Sequence, residues 1–105
     1  MCLMQDAEAA LVEVTGELER DPALELLVKA FADAREAAPD VLSTRRATAV
    51  VAWLARRGID VRRLTPLGCG AVRPLTIGRT EAEREQNRRA ELVRQTPTAG
   101  CEPPW

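Results

Sequence analysis

The sequence predicts a layered α/β (α+β) sandwich, a small sheet with helices packed on it. Three observations carry that expectation. Stretches of helical spacing alternate with short stretches of period two in the order α-β-α-β-α-β, the pattern of helices covering a sheet. Turn chemistry marks the changes of element, at Asp21-Pro22, Pro39-Asp40, Gly58-Ile59 and Gly68-Cys69-Gly70. At 105 residues, 46% hydrophobic and 30% charged, the chain has the size and composition of one small globular domain.

The elements follow in order. Ala7, Ala10, Leu11, Val14 and Leu18 recur at helical spacing, with Asp6 as N-cap and Asp21-Pro22 as the stop. Leu24, Leu26, Val28 and Ala30 alternate with Glu25, Leu27 and Lys29, which predicts a strand whose second face is also partly apolar. Ala32 to Val41 reads as a loop closed by Pro39-Asp40. Ser43 is placed as the cap of the strongest helix, with Ala47, Val50, Val51 and Leu54 as its buried stripe and Arg45, Arg56 and Arg57 outward. Gly58 takes the left-handed position after that helix, and Ile59 folds back on the last turn. Val61 to Leu67 reads as the second strand, and Pro74 to Gly78 as a loop. Thr80 and Glu83 form a capping box for a short helix to about Gln86, and Ala90, Leu92 and Val93 belong to the last strand. Residues 1–95 form the domain, and 96–105 are a Pro-rich tail expected to fray.

Composition excludes several function classes. The net charge is -1, so no global field favours nucleic acid or an anionic membrane. Fourteen of the fifteen cations are Arg, with Lys29 the exception, which reads as a composition bias. The Arg pairs 45/46, 56/57, 62/63 and 88/89 lack aromatic stacking platforms, since aromatics are only 3%. There is no His, no Gly-rich phosphate loop, and no Ser or Cys beside a candidate base, which argues against an enzyme. No cofactor and no metal site is expected. Cys2, Cys69 and Cys101 have no metal spacing and are read as isolated thiols, with a Cys69–Cys101 pair left open. No run approaches the ~20 apolar residues of a membrane helix. Met1 to Gln5 shows no basic start and no apolar core of a signal peptide.

One stretch points further. From Leu42 to Val93 come L-S-T-R-R-A, Gly58-Ile59, the Gly68-Cys69-Gly70 corner, the Thr80 cap and Asn87-Arg88-Arg89, in that order. The order resembles the OmpA-like domain, the C-terminal domain of OmpA, Pal and MotB proteins. The resemblance implies a β/α/β/α/β fold with a further strand before the first helix. Only Met1 to Gln5 could supply that strand here, so the domain is expected to be trimmed at its N-terminus. The implied role is to grip peptidoglycan without cutting it and so to tether an envelope protein to the cell wall. The implied location is the periplasm, associated with the outer membrane. A start inside a longer gene, or a copy that is not exported, would reconcile this with the missing signal.

The resemblance also implies a site. The family's strand ends in a short motif closed by Asp, matched here by Ala30, Phe31, Ala32 and Asp33. Asp33 and Arg46 are implied to hold the diaminopimelate of the stem peptide. Its zwitterionic end carries an ammonium for a carboxylate and a carboxylate for a guanidinium fork. Asp40, Leu42 and Ser43 complete the implied ligand set, with Asp40 in the place of a customary Asn and the Ser43 turn adding N–H donors. Asn87, Arg88 and Arg89 are implied supports: Asn87 capping backbone groups, one Arg bracing the loop. An ion pair between Asp33 and Arg46 is the structural alternative. The chain departs from the pattern at Ala30, where a Gly is usual, at Phe31, at Glu36, at Cys69 and at Gly78. Glu36 adds negative charge that opposes an anionic ligand. A second reading therefore keeps the fold as a structural or protein–protein interaction element without wall binding. The partners expected are the peptidoglycan stem peptide and other envelope proteins.

Overall fold

The computed structural model describes residues 5–71, 79–97 and 99–101. Along the chain run α1 (Gln5–Arg20), β1 (Leu26–Ala30), α2 (Pro39–Arg56), a 3-10 turn (Val61–Arg63), β2 (Leu64–Gly68), α3 (Glu81–Asn87) and β3 (Ala90–Arg94). The sheet has three strands in the order β2-β1-β3. β1 pairs in parallel with β2, from Leu26 opposite Leu64 to Ala30 opposite Gly68. It pairs antiparallel with β3, from Leu26 opposite Arg94 to Ala30 opposite Ala90. The parallel pair needs a crossover, which α2 supplies. The α/β sandwich read from the sequence is the fold observed.

The core is built from the predicted stripes. Leu11 and Leu18 of α1, Leu26 and Val28 of β1, Val50, Trp53 and Leu54 of α2, and Ile59 and Leu64 pack into one buried cluster. Val51 is only half-buried, and Trp53 takes a core place that the predicted stripe did not include. The Arg57 guanidinium lies 3.8 Å from the centre of the Trp53 ring. Both faces of β1 are buried: Leu27 and Lys29 are covered as fully as Leu26 and Val28. Lys29 is matched by Glu91, its register partner on β3, at 3.5 Å.

Several boundaries differ from the sequence reading. α1 reaches back to Gln5, so Asp6 lies inside the helix rather than at its cap. The strand expected before α1 falls mostly on residues 1–4, outside the described residues. β1 begins at Leu26, not Leu24. α2 begins at Pro39 and not at Ser43. Pro39 has its φ preset for a first helical turn and needs no N–H partner there. Ala38 enters the helix at φ 47°, a left-handed conformation that costs an L-residue about 1–2 kcal/mol. Ser43 is thereby fully buried inside α2, and its hydroxyl is used elsewhere.

Arg63 explains why the second strand starts late. Its Nε donates to Leu24 O at 3.0 Å, and its Nη2 donates to Leu18 O at 2.8 Å and Asp21 O at 2.7 Å. These are carbonyls at and beyond the end of α1 that the helix itself cannot satisfy. Asp60 caps the 3-10 turn by accepting from Arg62 N at 2.9 Å. At the other end of α2 the expectation holds. Gly58 has φ 94°, its N–H donates to Ala55 O, and Ile59 N–H reaches back to Leu54 O. Thr80 accepts from Glu83 N–H at 3.1 Å, as the capping box requires. The loop expected from Pro74 to Gly78 lies outside the described residues.

The isolated-thiol reading is corrected for two of the three cysteines. Cys69 and Cys101 form a disulfide with Cα atoms 5.6 Å apart across a sequence separation of 32. The bond ties residue 101 to the corner after β2, where a frayed tail was expected. A loop of this length lowers the entropy of the unfolded chain by the equivalent of about 2–4 kcal/mol. Reduction should therefore shift the urea midpoint down by that much stability, and Cys69→Ser should reproduce the shift. Identical oxidised and reduced midpoints would count against the bond.

Candidate functional site

Three segments meet at one end of the sheet because the register aligns Ala30, Gly68 and Ala90. Beyond Ala30 runs the loop that carries Phe31 and Asp33. Beyond Gly68 lies the Cys69-Gly70 corner, and before Ala90 come Asn87, Arg88 and Arg89. Backbone hydrogen bonds continue the ladder past the strands. Phe31 N–H donates to Arg89 O at 2.8 Å, Ala32 N–H to Gly70 O at 2.8 Å, and Cys69 N–H to Ala30 O at 2.9 Å. The loop is thus gripped from both sides before it reaches Asp33.

α2 closes the third side. Ser43 Oγ donates to Asp40 O at 3.0 Å and accepts from Gly70 N–H at 2.8 Å. Ser43 is therefore a buried tie between the first turn of α2 and the corner, not an N-cap. Asp40 is exposed in that first turn, and Leu42 is half-buried beside it. Ala30 sits in the extended backbone of β1; among the described non-Gly residues, the one with positive φ is Ala38. The departure from Gly at position 30 therefore imposes no backbone strain.

Asp33 is 4% exposed. Its Oδ1 accepts from Arg35 N–H at 3.0 Å and its Oδ2 from Asn87 Nδ2 at 2.9 Å. These two bonds, Asn87 first, hold its carboxyl below the usual carboxylate range against the opposing effect of burial. Asn87 thus serves the Asp33 side chain, where the sequence reading had it capping backbone groups. A carboxylate has about four lone-pair sites, so Asp33 keeps room for a further donor.

Arg46 is 9% exposed and does not pair with Asp33. Its Nη1 donates to Glu36 Oε1 at 2.8 Å and to Phe31 O at 3.3 Å, and its Nη2 donates to Glu36 Oε2. The two carboxylate oxygens of Glu36 fill the end of the guanidinium fork. Glu36 Oε1 also accepts from Asp33 N–H at 2.9 Å. The hydrogen bonds from the Arg46 fork are the main cause that lowers the Glu36 carboxyl below its ordinary range, against the opposing effect of burial. Asp33, Glu36 and Arg46 are therefore one connected cluster carrying two negative charges and one positive. The extra charge noted at Glu36 in the sequence is the direct partner of the candidate ligand-binding Arg.

The supporting residues divide. Arg89 lies 3.9 Å from the centre of the Phe31 ring and donates from Nε to Glu91 Oε2 at 2.9 Å, so it braces the loop. Arg88 pairs with Glu81 at the start of α3. Asp33 and Arg46 are built into the fold, so truncating either to Ala would strand hydrogen-bonded neighbours and cost stability as well as any binding. Glu36, the Phe31 carbonyl and the Ser43–Gly70 bond are site features that sequence spacing did not assign. The cue for Glu36 was a carboxylate ten residues before Arg46, but spacing across a loop fixes no contact.

The model of the OmpA family matches residues 2–88. The chain is 37% identical over 91 residues to the peptidoglycan-associated lipoprotein of Haemophilus influenzae, covering 84% of this chain and 55% of that protein. It thus spans about half the length of that curated relative. The crystal structure of the peptidoglycan-associated lipoprotein from Burkholderia pseudomallei superposes with a TM-score of 0.78 at 29% identity, over 88% of this chain and 80% of that one. The C-terminal domain of Helicobacter pylori MotB superposes with a TM-score of 0.78 over 90% of this chain and 77% of that one. At 19% identity that likeness concerns the fold alone.

Proposed function

Since the chain belongs to the OmpA family, we propose that it binds peptidoglycan non-covalently and without catalysis, through the diaminopimelate of the stem peptide, and tethers an envelope protein to the cell wall. The observation that carries this reading is the Asp33–Glu36–Arg46 cluster at the end of the sheet. In the reading, Asp33 takes the ligand ammonium and Arg46 its carboxylate. Asp40, Leu42 and Ser43 border the ligand, and Asn87 and Arg89 hold the loop in place, with Arg88 anchored on Glu81. The relative from Haemophilus influenzae bears the name peptidoglycan-associated lipoprotein, which agrees with this role. The Cys69–Cys101 disulfide supports a periplasmic location, because such bonds persist in oxidising compartments. Among the described residues no helix is long and apolar enough to cross a membrane.

The test is co-sedimentation with purified peptidoglycan. Asp33→Asn removes the charge and keeps one of the two acceptor oxygens, and Arg46→Lys keeps the charge but not the fork, so circular dichroism must confirm that each variant is folded. Asp33→Asn should weaken binding by about 2–5 kcal/mol, the range for breaking a desolvated charge pair, and Arg46→Lys should weaken it by less, since the charge stays and only the bidentate geometry is lost. Wild-type pelleting by the double variant would remove the site assignment. The second reading, an interaction element that no longer holds the wall, is favoured by one observation: the Arg46 fork is already occupied by Glu36. Failure of the folded wild-type chain to pellet would decide for it.

A further inference from the structure

We propose that Glu36 is a built-in surrogate for the ligand's carboxylate and sets the specificity of the site, an inference that rests on the wall-binding reading. Glu36 presents to Arg46 what the zwitterionic end of a stem peptide would present: two oxygens, one for Nη1 and one for Nη2. It belongs to the segment between β1 and α2, outside any helix or strand, and its side chain keeps 18% of its surface exposed. Glu36 can therefore swing out without breaking an element, whereas Arg46 is anchored on α2 and to Phe31 O.

The exchange is nearly balanced. An incoming carboxylate replaces an outgoing one, so the charge on the fork and its hydrogen bonds are the same before and after. Departure of Glu36 also frees Asp33 N–H, which it had engaged at 2.9 Å, as a further donor for the incoming anion. A ligand with only a carboxylate gains little from this swap. It must compete with a carboxylate held on the same chain at high effective concentration. A ligand whose carboxylate sits beside an ammonium gains the Asp33 contact in addition, because Asp33 Oδ1 and Oδ2 each accept one internal hydrogen bond, neither of them from a cationic side chain, and keep lone pairs for a further donor. Glu36 thus acts as a filter: it rejects simple carboxylates, admits zwitterionic amino-acid ends, and holds the affinity of the native chain down.

Purified sacculi, free meso-diaminopimelic acid and pimelic acid, its amine-free counterpart, are the probes. Wild type, Glu36→Gln and Glu36→Ala are to be compared by co-sedimentation and calorimetry, with circular dichroism to check folding. Both variants should bind sacculi and diaminopimelic acid at least tenfold more tightly than wild type. Both should gain pimelic acid binding that the wild type lacks. Pelleting by the variants but not by wild type would support the filter and overturn wall binding by the native chain. Folded variants that bind no tighter than a pelleting wild type would overturn the filter and leave the wall-binding reading standing. Unfolding of both variants would show Glu36 to be a structural tie and overturn the filter. No pelleting by any form would overturn both readings together.

Discussion

Gly68→Ala should cost at least about 3 kcal/mol, at or beyond the upper end of the range for overpacked sites. A Cβ built on Gly68 would lie 2.2 Å from Thr44 Oγ1, 2.6 Å from Thr44 N and 2.7 Å from Thr44 Cα. Two of those atoms are backbone of α2, so no side-chain rotation relieves the clash. α2 would have to lift from the end of β2, and with it the Ser43–Gly70 bond that closes the site. A domain of this size has only about 5–15 kcal/mol of stability to lose. Gly58→Ala is the control. It has φ 94°, where an L-residue is strained by about 1–2 kcal/mol, but nothing within 4 Å of an added Cβ, so it should cost less than Gly68→Ala. Urea unfolding of the two variants is the measurement. Equal midpoints would show that the close approach of helix to strand is not what Gly68 is for.

Leu54→Ala should destabilise the domain by about 2–5 kcal/mol, the loss of transferred surface plus the cavity left behind. Leu54 is completely buried and belongs to the cluster that joins α1, β1 and α2. Its carbonyl also accepts from Arg57 N–H and from Ile59 N–H, so the residue sits where the helix ends and turns back on the core. The neighbouring stripe residue Val51 is only half-buried, and Val51→Ala should cost clearly less. A Leu54→Ala change below about 0.5 kcal/mol, the scale of surface substitutions, would mean the helix register is wrong.

Sequence by itself was enough for the architecture. The alternation of periods from Leu11 to Val93 identified the three helices and the three strands. Gly58-Ile59 and Thr80…Glu83 marked a helix end and a helix start, because those signals act within a few residues of chain. Ser43 was misread for the same reason. A Ser before an apolar stripe looks like a cap, yet its hydroxyl is held by Gly70, 27 residues away. On that local signal the first turn supplied by Pro39 and Asp40 reads as loop. Cys69 and Cys101 could not be paired from spacing, since a disulfide depends on two Cα atoms meeting in space. The roles at the site were likewise undecided. Asp33, Arg46 and Asn87 were named from the motif, but which carboxylate faces the guanidinium is a question of three-dimensional position. Tertiary structure gave Arg46 to Glu36 and Asp33 to Asn87. Charge pairs across a loop are chosen by the geometry of the strands and helix that flank it, and no local period in the sequence records that choice.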